Sequence, residues 1–188
     1  MALKRLEPCA GKLARTVLRR VVAGNSHGLS DNLPNIPTIL DAGSLNSGTQ
    51  ALLSKVDYAV CSEKFARQLT GNIEDALQQI SNVAPVAVIT LGENGLIWKR
   101  GNEEGKLAAL VINAVDTTGA GDAFHGAFAY GVASNMAWDK LLTFASVAGS
   151  LCCQKMGARR VRLKVWGNSI TVMPRLNYSS ILANHHWL

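Results

Sequence analysis

Proline, cysteine and aromatic residues are all scarce in this 188-residue chain, and so are long apolar runs. Only five prolines occur and no low-complexity tract, which argues against collagen-like repeats, a mucin-like stalk and intrinsic disorder. The four cysteines, Cys9, Cys61, Cys152 and Cys153, form neither a CxxC pair nor a dense even framework, so a reducing compartment fits best. His125 stands apart and His185 and His186 lie near the last residue, which leaves no Cys/His cluster at zinc spacing. Aromatics make up 6% of the chain and do not interleave with basic residues; with no zinc finger and no RNP-like strand, a nucleic-acid module is disfavoured. The longest apolar stretches, Leu141 to Cys153 and Pro85 to Leu91, are too short and too interrupted to span a bilayer core of about 30 Å.

The apolar share of 48% is sufficient for one domain with a real core, and not for two. The net charge of +6 is unevenly spread. Residues 1–30 hold six basic residues against Glu7 alone, and residues 155–188 hold six with no acid, so the middle of the chain is acidic overall. A basic average therefore hides an acidic centre between two basic ends.

From Pro37 onward short apolar strands alternate with amphipathic helices. Strands are predicted at Pro37 to Asp41, Val56 to Val60 and Pro85 to Leu91, the last reading as buried on both faces. Ser62 caps a predicted helix that runs to Leu69 and stops at Thr70-Gly71, and Ile73 to Ser81 carries Glu74 and Asp75 in its first turn. Leu96 to Lys99 and Lys106 to Ile112 flank a polar turn and predict an antiparallel hairpin. Helices from Gly119 to about Ser134 and from Ala137 to Met156 follow. The alternation specifies an α/β fold with a mainly parallel sheet. At the ends, Met1 to Val22 predicts an amphipathic Arg-rich helix, read as a surface helix with organelle targeting as the alternative, while residues 161–188 show no clear element.

The chemistry is concentrated in Asp116-Thr117-Thr118-Gly119-Ala120-Gly121-Asp122-Ala123-Phe124, where the hairpin ends and a helix begins. Gly119 and Gly121 let the backbone approach a ligand, so the N–H groups of Ala120, Gly121 and Asp122 can form an anion hole at a positive helix terminus. Asp122 then stands where a hydroxyl would lose its proton while attacking a phosphoryl group. The plainer alternative is that the two glycines serve helix packing and Asp122 only complements the dipole. The string is neither the Rossmann G-x-G-x-x-G nor a Walker loop.

That nine-residue string resembles the signature of the ribokinase-like, or pfkB, family of carbohydrate kinases. Leu40 to Gly43, Val56 to Val60, Leu69 to Gly71, Ile89 to Gly95 and Cys153 to Ala158 resemble further blocks of the family in its order. The resemblance covers roughly Pro37 to Arg160, and implies a ribokinase-like αβα sandwich with a mainly parallel sheet. It also implies an ATP-dependent phosphotransferase acting on a sugar hydroxymethyl group, with Mg2+ and in some members K+. Carried over, Asp122 is the catalytic base, the amides of Gly119, Ala120 and Gly121 stabilise the transferring phosphoryl, and Asp116 and Thr118 belong to a monovalent-cation site. Thr90, Gly92 and Gly95 match the loop lining the ATP site, Ser146 falls beside the adenine, and the Gly157 turn closes that pocket.

The chain departs from the family in several places. Relatives often place an acid that organises magnesium before the Leu-Thr-Gly block, where ungapped alignment puts Ser62 and Phe65 here; Glu63 is a weak substitute. His125, among Phe124, Ala127 and Phe128, reads as a packing residue. The first half of complete members, with its strand-built lid and most sugar contacts, has no counterpart in this chain. The expected organisation is a basic leader over residues 1–34, the kinase-type domain over 35–160 and a divergent basic tail over 161–188, as in a truncated or alternatively spliced product. The expected partner is a sugar, with no nucleic acid, no membrane and no lid-mediated dimer, and the expected location is cytoplasmic. An inactive nucleotide-binding remnant or partner-binding fragment is the alternative function.

Overall fold

Five short strands, all but the last mainly apolar, pair into one sheet in the computed structural model, which describes residues 36–154, Met156 and the backbone of residues 162–166 and 169–173. The helix predicted over Met1 to Val22 and the Gly157 turn lie outside the described residues. In chain order the elements are β1 (Ile39–Ala42), α1 (Ser47–Leu52), β2 (Tyr58–Ser62), α2 (Glu63–Thr70), α3 (Ile73–Ser81), β3 (Val86–Thr90), β4 (Leu96–Arg100), β5 (Glu103–Leu107), α4 (Ala120–Ala133), α5 (Trp138–Cys153), β6 (Arg162–Trp166) and β7 (Ser169–Met173). The sheet order is β1-β2-β3-β4-β5. The first three strands are parallel, and β4 and β5 add antiparallel.

Alternation along each strand divides the core in two, because successive side chains point to opposite faces. Leu40, Ala42, Ala59, Cys61, Ala87, Ile89 and Ile97 face α2 and α3, where Phe65, Ala76 and Ile80 meet them. Val60, Val86, Val88 and Leu96 face α4 and α5, against Phe124, Phe128, Leu141, Phe144 and Ala148. The result is a three-layer αβα sandwich. Each fully buried side chain of this size contributes roughly 1.5–3 kcal/mol, so Phe65 and Phe128, neither of them exposed, anchor the two faces.

Local signals account for the helix limits. Ser62 Oγ accepts the Phe65 N–H at 3.1 Å to start α2, and Gly71, at φ +80°, ends it. Asn72 caps α3 through the Asp75 N–H, with Glu74 and Asp75 in its first turn. α1 is absent from the sequence reading, although Asn46 and Thr49 form a reciprocal capping box there. It has only six residues and buries none of them, so the hydrophobic period that flags longer helices is missing.

Several limits differ from expectation: β1 and β2 begin at Ile39 and Tyr58 rather than Pro37 and Val56, and the second strand of the hairpin ends at Leu107 rather than Ile112. β5 starts at Glu103 because the turn is only two residues long and opens with Gly101 at φ +57°. Glu103 and Glu104 look like turn residues in the sequence, yet they stand opposite Arg100 and Lys99 and pair with them at 2.5 and 3.4 Å. α5 ends at Cys153 rather than Met156. β6 and β7 form an antiparallel hairpin in the stretch expected to hold no element. Among the described residues no helix is long and apolar enough to cross a membrane.

Candidate active site

β1, β2 and β3 run parallel and finish at one edge of the sheet with Asp41-Ala42, Cys61-Ser62 and Thr90. Open α/β sheets bind ligands outside the carboxyl ends of such strands. Thr90, half-buried, donates from its hydroxyl to the Cys61 carbonyl at 3.4 Å. After it the chain makes a 3-10 turn over Gly92–Asn94 and crosses back at Gly95, with Gly92 at φ +59° and Gly95 at φ +86°.

The turn at Asp116 to Asp122 is fixed from two sides. The amides of Val115 and Asp116 both donate to the Cys153 carbonyl, at 2.8 and 3.2 Å, which ties the loop to the end of α5. The Thr118 N–H donates to Asp116 Oδ1 at 2.9 Å, an Asx-type closure. Gly119 then adopts φ +82° as the N-cap of α4, a conformation that favours glycine. The Ala120 N–H is spent on the Thr117 carbonyl at 3.1 Å, and the Ala123 N–H on that of Gly119 at 2.9 Å. Between them the amides of Gly121 and Asp122 have no backbone acceptor among the described residues, as is usual in the first turn of a helix. Asp122 itself is exposed in the first turn of α4.

α5 lies directly behind this turn. A Cβ at the buried Gly149 would sit 3.3 Å from the Ala120 carbonyl and 3.6 Å from the Phe124 Cβ, so the helices touch backbone to backbone at the start of α4. Ser146 lies one turn earlier on the same face of α5 and is half-buried. Cys152 approaches the Thr118 carbonyl from that face, its Sγ 3.8 Å away. Burial raises the Cys152 thiol above its ordinary value, with further contributions from Cys153, Asp116 and Asp122.

Two residues of the site have no counterpart in the sequence reading as site residues. Asp41, at the end of β1, is held above the usual carboxyl range mainly by burial; His125 opposes the shift and the like charge of Asp122 adds to it. His125 is satisfied, as its packing reading requires, and its ring meets Phe124 edge to face at 5.9 Å. Its polar partners are the unexpected part: Asp41 Oδ1 lies 3.3 Å from Nε2. Only the chain reversal that lays α4 across the strand ends brings residues 84 positions apart into contact, and no local pattern carries that information. Glu63 is engaged elsewhere, pairing with Arg67 one turn along α2 at 2.7 Å.

Oxygen donors at Asp116 and Thr118 suit a hard monovalent cation, and Mg2+ commonly needs only one or two carboxylates besides phosphate oxygens. Among the described residues no three His, Cys, Asp or Glu side chains gather at metal-binding distance.

A glycine turn and a helix N-terminus beside the carboxyl ends of three parallel strands define an α/β protein with an open, mostly parallel sheet. More narrowly, the chain belongs to the pfkB family of carbohydrate kinases: residues 27–164 match the family model described as pfkB family carbohydrate kinase. It is 37% identical over 110 residues to the ribokinase of Lactococcus lactis, covering 57% of this chain and 36% of that protein. To the deoxyribokinase of Salmonella typhi it is 32% identical over 123 residues, covering 61% and 38%. Among solved structures, Arabidopsis thaliana ribokinase complexed with ribose and ATP matches with a TM-score of 0.59 at 30% identity, over 65% of this chain and 43% of that one. Thermotoga maritima ribokinase matches in fold with a TM-score of 0.60 at 23% identity, over 80% and 50%. The chain spans well under half the length of both curated relatives.

Proposed function

We propose that the site transfers the terminal phosphoryl group of ATP to a hydroxymethyl group of a sugar. The carrying observation is the pair of amides at Gly121 and Asp122, without a backbone acceptor among the described residues and set beside the Asp122 carboxylate by the left-handed Gly119. In this reading the Asp122 carboxylate takes the proton of the attacking hydroxyl as its oxygen bonds to the terminal phosphorus and the bond to the bridging oxygen of ADP breaks. The two amides face the negative charge on the transferring group. Thr90, Gly92, Gly95 and Ser146 line the nucleotide side, and Gly157, outside the described residues, falls there by resemblance. Bound Mg2+ would neutralise phosphate charge, with Asp116 and Thr118 contributing oxygens to a K+ site nearby.

The names of the relatives support ribose or deoxyribose as first substrates to try. Sugar-dependent release of ADP by the purified chain, compared with Asp122→Asn, tests the reading. Turnover that appears with a sugar and disappears in the variant supports it. Nucleotide binding without turnover favours a non-catalytic nucleotide-binding role, consistent with the pairing of Glu63 to Arg67. A cytoplasmic location accompanies the reading and is tested by imaging a tagged full chain.

A further inference from the structure

His125 lies one turn into α4, and nothing in the phosphoryl-transfer reading uses it. Its ring nevertheless joins three elements. Nδ1 is 2.8 Å from the Gly121 carbonyl on its own helix, while Nε2 is 3.2 Å from the Val60 carbonyl in β2 and 3.3 Å from Asp41 Oδ1 in β1. All three partners are acceptors, so the ring donates from whichever nitrogen carries a proton, and from both when both do. The His125 and Asp41 side chains are only 14% and 24% exposed, which strengthens such contacts relative to pairs in open water. A phenylalanine would fill the slot beside Phe124 equally well, so packing alone does not call for two nitrogens.

The Gly121 contact has a directional consequence. The Gly121 carbonyl and the Asp122 N–H belong to one planar peptide unit and point opposite ways. Holding the carbonyl therefore aims the amide, and a hydrogen bond to the carbonyl also polarises that amide toward an anion. On its other side the ring reaches Asp41, whose carboxyl feels the like charge of Asp122.

We propose that His125 is a positioning residue: its ring straps the first turn of α4 to the carboxyl ends of β1 and β2, and so aims the Asp122 amide at the transferring phosphoryl group and the Asp122 carboxylate at the attacking hydroxyl. The proposal rests on the reading of that turn as the phosphoryl site. His125→Phe keeps ring and volume but removes both donors, whereas His125→Gln keeps one donor. The full chain and both variants are compared by amide hydrogen exchange in the first turn of α4, by the response of the Asp122 amide resonance to inorganic phosphate, and by thermal unfolding.

The expected result is faster exchange at Ala123 to His125 in His125→Phe, about tenfold, with phosphate response weakened by a similar factor, an unfolding midpoint near wild type and partial recovery in His125→Gln. Unchanged exchange in His125→Phe would overturn the strap. So would equal losses in both variants accompanied by a matching fall in the unfolding midpoint, because the ring would then be packing only. A wild-type amide that ignores phosphate while the exchange pattern still separates the two variants would refute the phosphoryl reading and leave the strap standing.

Discussion

Gly95 lies so close to Leu107 that a Cβ on it would land on the Leu107 carbonyl, with the Ala109 nitrogen 2.8 Å away. Its φ of +86° is one that side chains rarely adopt, and its carbonyl accepts the Leu91 N–H at 2.7 Å. The turn after β3 and the chain leaving β5 are thus pressed together through one hydrogen atom. Gly95→Ala should cost about 2–5 kcal/mol, from backbone strain and forced displacement together. Gly101→Ala shares the positive φ but meets nothing within 4 Å, so its cost should be about 1 kcal/mol. Urea midpoints of the two variants check this, and equal losses would show that the contact with Leu107 is unimportant.

Asp122→Asn should lower any sugar-dependent turnover by about 10²- to 10⁴-fold while nucleotide affinity stays near wild type. The amide keeps the size of the side chain but cannot take up the hydroxyl proton. Initial rates and calorimetry on the same preparation separate the two effects, and wild-type turnover in the variant would remove Asp122 from the role of base.

The raised Asp41 carboxyl gives a signed dependence of stability on pH. Its folded-state value lies above the ordinary 3.8, so within that window the folded chain retains a proton that the unfolded chain has released. Stability from this group is therefore gained as pH falls through the raised value toward 3.8 and lost as pH rises through it. Asp41→Asn should flatten that part of the curve. Denaturation midpoints measured at close pH intervals above 3.8 decide it: an unchanged slope in the variant would show that Asp41 is not the group responsible.

Cys61 is fully buried at the end of β2, and burial, with the nearby Asp41 charge, pushes its thiol up to about 12. Alkylation depends on the thiolate, so at pH 8 Cys61 should be modified only when the fold opens. Peptide mapping after iodoacetamide treatment should show negligible labelling of Cys61 in the native chain and complete labelling in urea. Rapid native labelling would mean that the β2 edge opens locally.

Much of the architecture was legible because its signals are local. Ser62 and Gly71 delimit α2 by capping chemistry that six or seven residues reveal, and the Val-Ala-Val-Ile run of β3 announces a strand covered on both faces. The β5 start was not legible, because Glu103 and Glu104 look like turn residues until their partners Arg100 and Lys99 are placed opposite. The glycine turn was legible as a string, but the use of the Ala120 amide within it depends on the conformation of Thr117. The Asp41–His125 pair was least legible. It joins the first strand to the fourth helix, and only the assembled sheet makes them neighbours.

The mixed direction of the sheet implies an order of assembly. β3, β4 and β5 pair with their neighbours in sequence through short reversals, so little chain entropy is lost in closing them. Each parallel pairing of β1 with β2 and of β2 with β3 must instead wait for an intervening helical connection to dock. Val88, opposite Trp98 in the meander, should therefore show a higher φ-value for folding than Leu40 in β1. Since Asp41 sits on that late strand, the two-carboxylate corner of the site should be completed last, and any species caught before that step would carry the glycine turn without its strap.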